Sequence, residues 1–157
     1  MLFRSDVGSP IPTVNAAVEA RLLSAIKGER VAASAVLKGP APDPSAFGRL
    51  TRQQTIDAVG QALHASKITS YAQGMSLLRT ASREYGYDIQ PGDVARIWRA
   101  GCIIRADLLE DIRAAYARQA ALANLLLDDA FRNAIDERQA AWRSTIQSGV
   151  EIGRAHV

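Results

Sequence analysis

Along most of the chain apolar residues recur at spacings of three and four, the period of one helix face, with no strand-like alternation and no Asn-Gly hairpin signal. The pattern predicts an all-α fold. A first helix is predicted from Thr13, behind Pro10 and Pro12, to about Leu37, where Gly39-Pro40 stops it. Residues 40–44, Pro-Ala-Pro-Asp-Pro, read as a stiff linker or loop. A second helix is predicted from the N-cap Thr51 to Gly86, roughly 34 residues or about 50 Å at 1.5 Å each. Ile56, Val59, Leu63, Ser70, Gly74, Leu78, Ala81 and Tyr85 fall on one face of it. A helix of that length needs a large surface to lie on, either a bundle bigger than this chain or a subunit interface.

Pro91-Gly92-Asp93 opens a third predicted helix carrying Val94, Ile97 and Trp98, which Gly101 interrupts or packs closely. A fourth is predicted from about Ala106, with Leu108, Leu109, Ile112 and Tyr116 on its apolar face. Leu125-Leu126-Leu127 reads as a short buried turn. One last helix carries Phe131, Ala134, Ile135, Arg138, Trp142, Ile146 and Val150. No internal repeat or low-complexity tract is present.

Composition narrows the function classes. At 157 residues, 48% hydrophobic and 22% charged, the chain is long enough for one domain with a core. No apolar run reaches the roughly 18 to 20 residues of a membrane span, and the N-terminus has no signal-like stretch. Cys102 stands alone and cannot form an internal disulfide; with only His64 and His156 there is no metal-spaced cluster. A cytoplasmic protein without membrane or metal is expected. The net charge of +3 and pI of about 9.3 lean towards nucleic acid.

The chain ends weaken that lean. Leu2-Phe3-Arg4-Ser5 back-translates to CTCTTCCGATCT, whose reverse complement, read after one G, encodes Glu-Ile-Gly-Arg, the sequence of residues 151–154. The termini therefore read as opposite strands of one short DNA, as in translated adapter sequence. On this reading residues 1–5 and 151–157 are non-native and residues 6–150 are the genuine domain. Without Arg4 and Arg154 the formal charge falls from +3 to +1, and little case for a nucleic-acid partner remains.

Several residues break the helical pattern. On the first helix Val14, Val18, Leu22 and Ala25 define an apolar stripe, and Arg21 and Glu29 fall inside it. A guanidinium aimed at a core or cleft has to be paired. Periodicity leaves two readings, with the bland one ahead: an internal salt bridge, for instance to Glu29, or an anion clamp for phosphate or carboxylate. Lys67 sits on the apolar face of the second helix and reads as a packed stem with a solvated ammonium rather than a catalytic amine. His64, at the edge of that stripe, reads as a packing or surface residue. Arg99 and Arg105 read as partners of nearby acids such as Asp93 or Asp107. Cys102 reads as an inert core thiol, and Trp98, Trp142 and Tyr71 as core. There is no Gly-x-Gly-x-x-Gly, P-loop, His-Glu-x-x-His or Gly-x-Ser-x-Gly.

Four runs carry a resemblance. They are Glu29-Arg30-Val31-Ala32-Ala33-Ser34 with Lys38-Gly39-Pro40, Ala65-Ser66-Lys67-Ile68-Thr69-Ser70-Tyr71-Ala72-Gln73-Gly74-Met75, Ile97-Trp98-Arg99-Ala100-Gly101-Cys102-Ile103-Ile104-Arg105, and Asn124-Leu125-Leu126-Leu127-Asp128-Asp129. In order and spacing they resemble the helical C-terminal domain of decarboxylating 6-phosphogluconate dehydrogenases, over about Val7 to Val150. The resemblance implies an all-α domain of that type with one long central helix. It also implies part of a cytoplasmic homodimer of the pentose phosphate pathway. That enzyme converts 6-phosphogluconate to ribulose 5-phosphate and CO2 with NADP, or NAD in some members, and without a metal.

In the family the catalytic lysine and glutamate, the Lys-Gly-Thr-Gly-Lys-Trp motif and the cofactor-binding Rossmann domain stand upstream of this segment. A C-terminal tail supplies an arginine and a histidine to the partner's site. The resemblance thus implies no catalytic residue and no cofactor bound by this chain, and no dehydrogenase activity from it alone. One contact carries over. The family grips the substrate phosphate with the arginine of a Phe-Ala-Arg stretch upstream of Glu-Arg-Val; here the match is Val18-Glu19-Ala20-Arg21, with Glu19 where the aromatic usually stands. The resemblance therefore turns the reading of Arg21 towards substrate phosphate. No role carries over to Lys67, Arg99 or Arg105. A stand-alone, non-catalytic helical interaction module is the alternative expectation, and nucleic-acid binding through exposed arginines a distant third.

Overall fold

The computed structural model describes residues 7–39 and 50–152, and among these every regular element is helical. In chain order they are α1 (Pro12–Ala25), α2 (Lys27–Val36), α3 (Arg52–Tyr85), α4 (Pro91–Trp98), α5 (Leu108–Arg118), a 3-10 turn (Leu125–Leu127), α6 (Asp129–Asp136) and α7 (Gln139–Glu151). The all-α class and the long central helix are as the pattern predicts. The termini read above as non-native, apart from Glu151 and Ile152, lie outside the described residues, as does the 40–44 linker.

The 34 residues of α3 are delimited by local chemistry at both ends. Thr51 Oγ1 accepts from the Gln54 amide at 3.2 Å, and Gln54 Oε1 accepts from the Thr51 amide at 2.8 Å. This reciprocal capping box satisfies amides that have no partner in the first turn. At the other end Gly86 takes φ +66° and the Tyr87 amide reaches back to the Ser82 carbonyl at 3.0 Å. Glycine adopts that left-handed conformation without the Cβ clash other residues suffer.

Two predicted helices are each broken in two. The first stops at Ala25 and restarts at Lys27, with Ile26 at φ −85°, ψ 51°. Its cause is local. Ser24 Oγ donates to the Arg21 carbonyl at 2.7 Å, and the Arg30 guanidinium takes the Ser24 carbonyl at 3.3 Å. A side chain inserted into the backbone ladder, beside a glycine at 28, kinks a helix without any proline. The last predicted helix breaks at Glu137-Arg138, between α6 and α7. No breaker residue marks that point.

Two compact units divide the chain, one of Met1–Ile11 and Lys67–Ile135, the other of Pro12–Ser66 and Asp136–Val157, so α3 contributes to both. The first unit holds a closed apolar core. Ile68, Ala72 and Met75 of α3 meet Ala95 of α4, Leu109, Ile112, Ala115 and Tyr116 of α5, then Leu122, Leu125 and Phe131. Each large side chain buried this way contributes about 1.5 to 3 kcal/mol relative to exposure. Polar contacts lock the loops onto that core. Tyr71 donates its hydroxyl to the Ile104 carbonyl at 2.8 Å, and Arg79 donates to the Leu122 carbonyl. Burial raises the Tyr71 and Tyr116 pKa values; the Cys102 thiol reinforces the first shift and Arg79 opposes the second.

The second unit is open. Neither α1 nor α2 has a buried residue. Val14, Val18 and Leu22, expected to face a core, are 42%, 44% and 65% exposed. Ile56, Val59 and Leu63 of α3 are exposed as well. Val59 and Leu63 line, with Trp142, Ile146 and Val150 of α7, an apolar cavity of about 460 Å³. Of the predicted apolar face of α3, Ala81 is buried and Leu78 packs against the core, while Ile56, Val59, Leu63 and Tyr85 are exposed. The buried stripe runs through Ala62, Ala65, Ile68, Ala72 and Met75, and it is made mostly of alanines, which carry little weight in a hydrophobicity pattern but allow close packing.

Candidate anion site at the α1–α2 break

Arg21 stands in the second half of α1, one turn before the break. Its side chain is exposed rather than buried, because the apolar stripe it shares is itself uncovered in this chain. The internal bridge to Glu29 that periodicity allows is not formed, and among the described residues no carboxylate pairs with Arg21. Arg30, Arg52, Arg79, Arg83, Arg105 and Arg143 likewise have no ion pair among the described residues, whereas Arg96, Arg99, Arg113, Arg118, Arg132 and Arg138 are each engaged by an acid. A planar donor fork left open to solvent on a helix can take phosphate or carboxylate without first breaking an ion pair.

Ser24, Lys27, Arg30, Val31 and Ser34 line a cavity of about 320 Å³ at the break. The N-cap residue of α2, Ile26, offers no side-chain cap. Sequence reasoning placed Arg30 only within a family-like run and gave Lys27 no part. What could have flagged them is the Ser24…Gly28 pair, which makes a break in an otherwise uniform helix legible.

The other singled-out residues have structural settings. Arg99 pairs with Glu110, not with the predicted Asp93 or Asp107, and Arg113 holds the same carboxylate. The Arg113 hydrogen bond is the main cause of a Glu110 pKa below its ordinary value. Asp93 pairs with Arg96. Arg105 lies exposed in the α4–α5 connection, and Lys67 and His64 lie exposed on α3. Cys102 is half-buried rather than a core thiol. Tyr71 and Trp98 pack against the core of the first unit. Trp142 lines the open cavity of the second. The Asn124 to Asp129 run is a pair of caps: Asn124 Oδ1 accepts from the Leu126 amide at 2.9 Å, and Asp128 accepts from the Ala130 amide at 3.1 Å while pairing with Arg118 at 2.7 Å. Among the described residues no group of three His, Cys, Asp or Glu side chains could hold a metal, and no helix is long and apolar enough to cross a membrane.

Comparison with known proteins bears on the same segment. The family model described as 6-phosphogluconate dehydrogenase, C-terminal domain, matches residues 4–156. The decarboxylating 6-phosphogluconate dehydrogenase of Synechococcus elongatus is 51% identical over 148 residues, covering 94% of this chain and 31% of the relative. The NADP(+)-dependent decarboxylating enzyme of Bacillus subtilis is 45% identical over 148 residues, with 94% and 31% covered. The 6-phosphogluconate dehydrogenase of Plasmodium falciparum, solved in apo form and in complex with NADP+ and with 6-phosphogluconate, superposes with a TM-score of 0.86. It is 32% identical, with 96% of this chain and 32% of that one covered. The chain spans about 31% of the length of these two curated relatives. The chain belongs to the family of 6-phosphogluconate dehydrogenase C-terminal domains.

Proposed function

We propose that this chain supplies the helical scaffold and one substrate-phosphate contact, Arg21, to a cytoplasmic decarboxylating 6-phosphogluconate dehydrogenase. That enzyme oxidises 6-phosphogluconate with NADP and releases CO2 and ribulose 5-phosphate. The observation that carries the reading is the open guanidinium of Arg21, in the stretch matching the family's phosphate-gripping arginine. Phosphate needs two or more convergent donors, and arginine presents them in one plane. Catalytic acid–base groups and the cofactor site belong to the parts of the enzyme beyond this third of its length. This chain's own contribution is to bind and orient.

Homodimerisation belongs to the same proposal. Val14, Val18, Leu22, Val31, Val36 and Leu37 on α1, α2 and the α2 C-cap are 42 to 76% exposed. Uncovered apolar area on that scale marks a surface that packs against something else. The rest of the enzyme and a second subunit are the partners proposed.

Installing this chain in place of the matching third of the Synechococcus elongatus enzyme is expected to give a dimer that reduces NADP+ with 6-phosphogluconate. The purified chain alone is expected to give none. A folded dimeric chimaera without turnover contradicts the reading, as does turnover by the chain alone.

A further inference from the structure

We propose that Arg30 is a positioning residue for the phosphate contact, acting on Arg21 through Ser24. The inference rests on the phosphate reading of Arg21 and goes beyond it. Three groups are joined in series: Arg30 Nη1 donates to the Ser24 carbonyl at 3.3 Å, and Ser24 Oγ donates to the Arg21 carbonyl at 2.7 Å. The Ser24 carbonyl is one of the four at the end of α1 with no partner inside the helix. The Arg30 cation satisfies it from the first turns of α2 and sits at the negative end of the α1 dipole.

Within this chain packing does not replace these local bonds. With no buried residue on α1, its last turn is not wedged into any core. The direction of Arg21 is set instead by where α1 ends. That end is fixed by the Ile26 break, which Arg30 and Ser24 hold shut. Arg30 also lines the cavity at the break, with Ser24 and Lys27. Arg30 thus serves phosphate binding by holding the backbone that aims Arg21.

The test uses the complete chimaeric enzyme, with inorganic phosphate and gluconate as separate competitors of 6-phosphogluconate. Arg30→Met and Ser24→Ala are each expected to raise the inhibition constant of phosphate by about 3- to 10-fold. The inhibition constant of gluconate and the KM for NADP+ stay put, and Arg30→Lys recovers most of the loss. Arg21→Ala is measured alongside. If Arg21→Ala weakens phosphate but Arg30→Met does not, the positioning role falls and the phosphate reading stands. If Arg21→Ala has no effect, both fall. If Arg30→Met weakens gluconate and NADP+ in parallel with phosphate, Arg30 is a general structural residue and the proposal is overturned.

Discussion

Arg21→Ala in the complete chimaeric dehydrogenase raises the KM for 6-phosphogluconate by about 10- to 100-fold, because a hydrogen bond to a charged group contributes roughly 1.5 to 3 kcal/mol and each 1.4 kcal/mol is tenfold. The phosphate is remote from the carbon that is oxidised. Its contact is made in the ground state and kept in the transition state, so the loss falls mainly on KM and kcat changes less. Arg21→Lys keeps the charge but loses the planar fork, and recovers only part of the affinity. Steady-state kinetics at fixed ionic strength reads all three variants. An unchanged KM in Arg21→Ala contradicts the assignment.

The second large effect is on stability. Leu109 is fully buried where α5 meets the core of the first unit. Leu109→Ala removes its apolar surface and leaves a cavity, which costs about 2 to 5 kcal/mol. Ile103, one loop earlier, is 98% exposed, and Ile103→Ala in the same chain changes stability by no more than about 0.5 kcal/mol. Urea unfolding of the two variants separates them. Equal losses contradict the placement of the core.

How much of this the sequence carried depends on how local the cause was. The ends of α3 were legible because each is written in adjacent residues, Thr51 with Gln54 at one end and Gly86 at the other. The apolar face of α5 was legible because Leu109, Ile112 and Tyr116 are large and keep the helical period. The buried stripe of α3 was legible only towards its C-terminal half, at Leu78 and Ala81, because alanines form much of the rest while the larger Ile56, Val59 and Leu63 stay exposed. The Ile26 break escaped periodicity because its cause, Arg30 reaching back to the Ser24 carbonyl, spans six residues and involves no proline. Periodicity marked Arg21 as an odd member of an apolar stripe facing a core or cleft. In this chain the stripe is uncovered and the guanidinium is exposed.

The same contrast explains the two parts of the molecule. Of the runs that carry the family resemblance, the stretch from Ile68 to Met75 feeds the core of the closed unit and Asn124 to Asp129 caps its turns, while Ile97 to Arg105 is mostly exposed. The segment that carries Arg21 has ordinary helical residues around it and depends on hydrogen bonds at one break.

The central claim is that the Arg21 guanidinium holds the substrate phosphate. A crystal structure of the complete chimaeric enzyme with bound 6-phosphogluconate tests it most directly. The account predicts Arg21 nitrogens about 2.7 to 2.9 Å from phosphate oxygens. A phosphate gripped entirely by other residues, with Arg21 facing solvent, would contradict it.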